Sequence, residues 1–299
     1  MSKPLISLAD AKRLLRSPAL NTQLIGVASD YYNDSVLQTY QGATTVAGFT
    51  FIKTEAIEAE IDGIWTLKPT SELQALLVQK NVSPGQDRHI LLFDTITVSC
   101  GTKTSRFDAS ARLYAVLKSF GFQKVSIIFD DAIDAKLPIQ LTQELPTQQP
   151  AAPDLSPKPW PTKNPDIFTH YEAVKQLVEN AATKYFLLDA RSKEEYAGAV
   201  TGYDYVKTAG KIPTAINIIN GDFQLSQDEG IESVLARLQS ALDQAGIGRD
   251  DRIVWYCGTA WRASRMFALT LALGYSHVSI YDGGWNEWQA TAKQAMTPA

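Results

Sequence analysis

Ile253-Val-Trp-Tyr256-Cys257-Gly-Thr-Ala-Trp-Arg262-Ala-Ser264 is an apolar run that ends on a cysteine, crosses a short polar loop and enters a helical pattern. Ile253–Tyr256 reads as a buried strand, apolar through its length as parallel sheets require. A helix is expected from about Ala263 to Leu273, closed by Gly274 as its C-terminal cap. Gly274-Tyr-Ser-His-Val-Ser-Ile-Tyr-Asp282 reads as the next strand. Strand, helix and strand in this order imply an α/β fold with a mostly parallel sheet flanked by helices.

The same order occurs in the first half of the chain. Ile90-Leu-Leu-Phe93 is a strand, Ala109–Phe120 a helix capped by Gly121, and Gly121–Asp130 contains another strand. Further upstream, the segments opening at Ser7 and at Thr169 both read as capping boxes that start amphipathic helices. Short apolar strands follow at the same spacing, Leu24–Ser29 and Phe186–Arg191. Matching elements in matching order indicate an internal duplication. Eight of the fourteen prolines fall between Pro138 and Pro165, a composition that favours extended backbone and a semi-rigid linker. The expected organisation is a domain at 1–137, a linker at 138–165 and a second domain at 166–299. In this alignment Asp94 falls in register with Cys257, and Val27 and Ser29 stand where the second half has Asp189 and Arg191.

Apolar residues make up 45% of the 299, charged residues 20%, and the net charge is −4. This balance suits a globular protein and argues against a nucleic-acid partner, which calls for a basic patch. Two cysteines and three histidines without metal-ligand spacing exclude a structural zinc site. No run approaches the ~18 apolar residues of a membrane span. The N-terminus lacks the apolar core of a signal peptide, so the expected location is cytoplasmic, or periplasmic if a leader has been removed.

Cys257 sits where a strand ends and a helix begins. Backbone N–H groups of a tight loop there point inward, the helix N-terminus adds positive potential, and Arg262 supplies a charge at the loop's last position. Such a cradle favours a thiolate over a thiol. Open α/β sheets also place their ligand sites at strand ends.

The second half resembles the rhodanese family of sulfurtransferases, and the whole chain its tandem-domain form. The resemblance is carried by Leu188-Asp189-Ala190-Arg191, Glu194-Glu195-Tyr196, Gly210-Lys-Ile-Pro-Thr-Ala-Ile-Asn217, Cys257-Gly-Thr-Ala-Trp-Arg262-Ala-Ser264 and Tyr281-Asp-Gly-Gly-Trp285-Asn-Glu-Trp288. It implies a sulfurtransferase that moves a sulfane sulfur from a donor of the thiosulfate or 3-mercaptopyruvate class to a thiol or cyanide, or to a protein acceptor. The sulfur would travel as a Cys257 persulfide, without metal or cofactor. Arg191, Gly258, Thr259, Ala260, Trp261 and Arg262 are the expected binding residues, with Asp189 in support. The N-terminal domain is expected to be catalytically inactive and to complete the cleft over the second domain's loop. Trp285 and Trp288 are expected to pack after the last strand.

The sequence also departs from the family. Gly258 and Thr259 replace the two basic residues of thiosulfate-type loops. Glu195 stands where mercaptopyruvate enzymes carry an arginine, and is expected to repel an anion. Ala260 occupies a position commonly held by glycine, and is strained if that position requires positive φ. Two other readings remain. Cysteine-dependent phosphatases of this fold use Cys-x5-Arg, which Cys257 and Arg262 miss by one residue. Cys100 and Arg106 do fit that spacing, although the repeat leaves them in an inserted loop and no histidine precedes Cys100. The alternative to enzyme catalysis is a sulfur carrier or docking protein without turnover.

Overall fold

The computed structural model describes residues 2–17, 22–28, 49–83, 88–94, 98–100, 103–105, 107–129, 160, 164, 166–180, 184–224 and 229–296. The segment expected as a linker, 138–165, lies outside the described residues except for Trp160 and Asn164, as do Ser29, Arg106 and Asp130. The chain forms two compact units. One comprises Met1–Ile57, Lys68–Asn164 and Leu225–Ile231; the other comprises Glu58–Leu67, Pro165–Gln224 and Glu232–Ala299.

The chain begins with β1 (Leu5–Ile6), α1 (Leu8–Arg16), β2 (Thr22–Ala28) and β3 (Phe49–Lys53). A hairpin of β4 (Glu58–Ile61) and β5 (Ile64–Leu67) then enters the second unit. The first unit resumes with α2 (Thr70–Gln79), β6 (His89–Asp94), β7 (Val98–Cys100), β8 (Lys103–Ser105), α3 (Asp108–Ser119) and β9 (Val125–Ile128). The second unit continues with β10 (Phe168–Thr169), α4 (Tyr171–Glu179), β11 (Tyr185–Asp189), α5 (Lys193–Ala197) and β12 (Ile216–Asn217). It ends with α6 (Ile231–Gln244), β13 (Arg252–Tyr256), α7 (Trp261–Ala272), β14 (Val278–Tyr281) and α8 (Gly284–Met296).

Each unit has a five-stranded sheet with every pairing parallel, in the orders β1-β9-β6-β2-β3 and β10-β14-β13-β11-β12. The two orders are the same once strands are matched along the chain, so the duplication extends to topology. Apolar strands bury both faces, with Ile25, Ile90 and Leu92 covered as well as the face on which Leu24, Leu91 and Phe93 pack with Leu15 in one unit. Leu187, Val254 and Tyr256 pack with Val174, Trp285 and Trp288 in the other.

Three local expectations change. Ser7 caps α1 by accepting from the Asp10 N–H at 3.1 Å, but Thr169 caps nothing. It pairs with Tyr281 in the sheet and leaves His170 as an N-cap without a side-chain bond. Helix α7 begins at Trp261, two residues earlier than expected. Val27 pairs with Asp94 as Asp189 pairs with Tyr256, so the ladder equates Asp94 with Tyr256, one residue short of Cys257. Among the described residues no helix is long and apolar enough to cross a membrane.

Candidate active site

Strand β13 lies between β11 and β14 and delivers Cys257 to the end of the sheet, where it is buried and free of any disulfide. The loop then turns within three residues into α7. Its carbonyls face away from the site: the Trp285 N–H donates to the Cys257 oxygen at 2.8 Å, and the Asn286 N–H donates to the Gly258 oxygen at 3.1 Å. A trans peptide directs its N–H opposite to its carbonyl, so these bonds turn the Gly258 and Thr259 amides the other way. Among the described residues, the N–H groups of Gly258, Thr259, Ala260, Trp261 and Arg262 donate to no backbone carbonyl. With the N-terminus of α7 they form a cradle for negative charge.

Two glycines permit the close packing. A Cβ on Gly258 would lie 2.5 Å from Cε2 of Tyr203, and one on Gly284 would lie 2.5 Å from the Cys257 oxygen. Ala260, by contrast, adopts φ +68°, ψ −2° with a Cβ in place. The strain expected of alanine at this position is therefore present.

Arg262 is the second residue of α7 rather than the loop's last. Its Nη1 and Nη2 donate to Glu195 Oε2 and Oε1 at 2.6 and 2.9 Å. Glu195 therefore does not stand as a free repelling charge; it is buried against Arg262 and also closes the capping box of α5 with Ser192. Burial alone would push the Glu195 carboxyl up, but the Arg262 guanidinium overrides it and holds it below the usual range. Burial likewise works against the charge on Arg262, and Tyr203, Glu195 and Cys257 more than offset it.

Arg191, expected to bind the donor, is fully buried. Its Nη2 donates to Asp189 Oδ2 and to the Gly210 oxygen, both at 2.7 Å, and its Nε donates to Asp189 Oδ1 at 3.0 Å. The guanidinium lies 5.1 Å from the centre of the Trp285 ring and 5.6 Å from that of Tyr256, whose hydroxyl donates to Asp189 Oδ2 at 2.6 Å. In this arrangement Arg191 ties the end of β11 to its neighbours, with its charge matched by Asp189.

Residues not anticipated from sequence complete the surroundings. Tyr203 and Tyr205 stack with centroids 5.1 Å apart, Arg262 lies 5.5 Å above the Tyr203 ring, and the Tyr205 hydroxyl shares a hydrogen bond with the Thr259 side chain. Burial, then Tyr203, pushes the Tyr205 hydroxyl's pKa well above the ordinary phenol value and keeps it protonated. The indole N–H of Trp261 donates to Glu58 Oε2 at 2.8 Å, from the hairpin. The sequence signal for that hairpin is Asp62-Gly63, whose φ angles of 53° and 79° make the two-residue turn. Cys100 lies in another setting: its backbone pairs with Lys103 in an antiparallel hairpin rather than leading directly into a helix.

Residues 170–291 match the family model described as a rhodanese-like domain. This stretch of the second unit is a rhodanese-like domain. It is 26% identical over 260 residues to the thiosulfate sulfurtransferase YnjE of Escherichia coli, covering 84% of this chain and 55% of that protein. It is 33% identical over 160 residues to the sulfur carrier protein TtuD of Thermus thermophilus, covering 50% and 52%. The chain thus spans about half the length of these curated relatives. The human 3-mercaptopyruvate sulfurtransferase is 25% identical over 221 residues, 70% of each chain. Among solved structures, EanB with a cysteine persulfide and ergothioneine aligns with a TM-score of 0.74 at 20% identity, covering 97% of this chain and 69% of that one. This likeness places the chain in the same rhodanese fold.

Proposed function

We propose that this chain is a sulfurtransferase that moves a sulfane sulfur through a persulfide on Cys257. The observation that carries this reading is the set of backbone N–H groups around Cys257, held inward by the two bonds from the start of α8. A thiolate in that cradle attacks the outer sulfur of a donor. A new S–S bond forms to Cys257, and the donor's bond to that sulfur breaks with its electron pair, releasing sulfite from thiosulfate or the enolate of pyruvate from 3-mercaptopyruvate. The terminal sulfur of the persulfide carries the negative charge and accepts hydrogen bonds from Gly258, Thr259 and Ala260. A thiol or cyanide then attacks the terminal sulfur and Cys257 leaves as thiolate, a two-step cycle with ping-pong kinetics. All of this chemistry runs on sulfur and backbone amides.

In the first unit the strand that matches β13 ends on Asp94, with no cysteine at its end in the sequence. Asp94 ends β6, and its carboxylate accepts from the Ala109 and Ser110 N–H groups at 3.3 and 2.6 Å. A buried carboxyl therefore occupies the start of α3, which supports a structural role for this unit. A reducing compartment such as the cytoplasm suits the free thiol.

The similarity to the sulfur carrier protein TtuD favours a second reading, in which Cys257 passes its sulfur to a protein without rapid small-molecule turnover. Thiocyanate formation from cyanide with thiosulfate, and separately with 3-mercaptopyruvate, tests both. Turnover that obeys ping-pong kinetics and vanishes in Cys257→Ser is the expected result. A long-lived persulfide with negligible turnover on both donors would favour the carrier, and turnover unaffected by Cys257→Ser would overturn both readings.

A further inference from the structure

The hairpin β4–β5 reaches the Cys257 cradle by two routes. Glu58 Oε2 accepts the indole N–H of Trp261, 203 residues later in sequence, at 2.8 Å. Asn286 forms the other route. Its Oδ1 accepts from the Trp65 N–H at 2.9 Å, its Nδ2 donates to the Gly63 oxygen at 3.2 Å, and its own N–H holds the Gly258 oxygen. The Leu67 N–H donates to Asp282 Oδ2 at 2.9 Å, which fixes the end of the second strand. Glu58 and Asn286 are both buried.

Trp261 directly follows the left-handed Ala260 and opens α7, so its placement governs where the last amides of the cradle point. A backbone in that conformation persists only when its surroundings over-determine it. The α8 amides hold the first half of the loop, and the Glu58 carboxylate holds the indole that follows the strained residue. We propose that Glu58 is a positioning residue for the Cys257 cradle, acting through Trp261. The proposal rests on Cys257 being the sulfur-carrying thiol, and it makes the hairpin part of the machinery that orders the loop.

The test uses the full chain and needs no sulfur donor. The rate of Cys257 carbamidomethylation by iodoacetamide is followed on its own peptide by mass spectrometry, alongside a thermal melt. Glu58→Ala is expected to slow alkylation about tenfold, as befits the loss of one charge-assisted hydrogen bond. Glu58→Gln retains an acceptor oxygen and should stay within about twofold of wild type. Trp261→Phe deletes the donor while keeping an aromatic ring and should reproduce the loss, with no further fall in the double variant. A merely structural role would lower the melting temperature of Glu58→Ala while leaving the alkylation rate of the folded protein unchanged, and that result overturns the proposal. So do a Glu58→Gln rate as low as that of Glu58→Ala, or additive losses in the double variant. If the expected pattern appears in a protein that forms no persulfide, sulfur transfer fails and the positioning role stands.

Discussion

Arg262 and Glu195 meet as a two-pronged ion pair, Nη1 to Oε2 at 2.6 Å and Nη2 to Oε1 at 2.9 Å, with Arg262 one-fifth exposed and Glu195 almost fully buried. The cation beside the cradle is thus already matched by a carboxylate. On the proposed reaction, a doubly charged donor such as thiosulfate would meet amide dipoles and a neutralised arginine there.

Glu195→Gln should therefore act on stability and on donor affinity in opposite directions. Loss of the carboxylate leaves a partly buried guanidinium without its anion, at a cost of about 1–3 kcal/mol. The released charge should lower the KM for thiosulfate severalfold. Because the folded state holds the Glu195 carboxyl low, the pair stabilises the protein fully above the ordinary glutamate value, and this is lost as pH falls below that value and through the lowered folded-state one. Urea unfolding and donor saturation curves measure both effects, and an unchanged KM would mean that Arg262 does not meet the donor.

Asp94 carries the opposite pH dependence. Burial first, offset only in part by bonds from Ser110, pushes its carboxyl up to about 7. A raised acid favours the protonated folded state, so its contribution is complete below the unfolded value and disappears as pH rises through about 7. Wild-type stability should fall by a few kcal/mol between about pH 4 and 7 relative to Asp94→Asn. Parallel curves for the two proteins would show that this carboxylate is ionised throughout.

Ala260→Gly is expected to be unusually benign. Removing a buried methyl and adding chain entropy costs on the order of 1–2 kcal/mol at an ordinary position. Here relief of the left-handed conformation offsets about 1–2 kcal/mol. The net change should lie within about 1 kcal/mol of zero by chemical denaturation, with sulfur transfer retained. A larger loss would argue that the loop does not hold alanine at positive φ.

Arg191→Lys separates the buried pair from a binding role. Lysine keeps the charge but cannot reproduce the fork on Asp189 and the bond to Gly210, so stability should fall by about 1–3 kcal/mol. The donor KM of the folded fraction should stay within about twofold. A tenfold rise in KM without destabilisation would restore Arg191 as a donor ligand.

The parts of this site that lie close together in sequence were legible. The apolar run to Cys257, the polar turn and the helix after it follow from residue type and periodicity alone, and the glycine-deficient position at Ala260 correctly announced a strained backbone. The partner of Arg262 was not legible, because Glu195 lies 67 residues upstream and sequence gives a carboxylate's charge without its direction. The same holds for Arg191, whose neighbours Tyr256 and Trp285 lie far along the sequence. Asp62-Gly63 carries a turn signal, yet nothing local indicates that the hairpin docks on Asn286, more than two hundred residues away. Long-range partners depend on which elements the fold brings together, and periodicity does not encode that.

The central claim is that sulfur travels on Cys257. The most direct measurement is the mass of the peptide containing Cys257 after one turnover-limited addition of thiosulfate or 3-mercaptopyruvate, before and after cyanide. A gain of one sulfur on that peptide, discharged by cyanide as thiocyanate and unaltered by Cys100→Ala, is the predicted result. Sulfur found on Cys100, or discharge of donor sulfur by Cys257→Ser at the wild-type rate, would contradict the account.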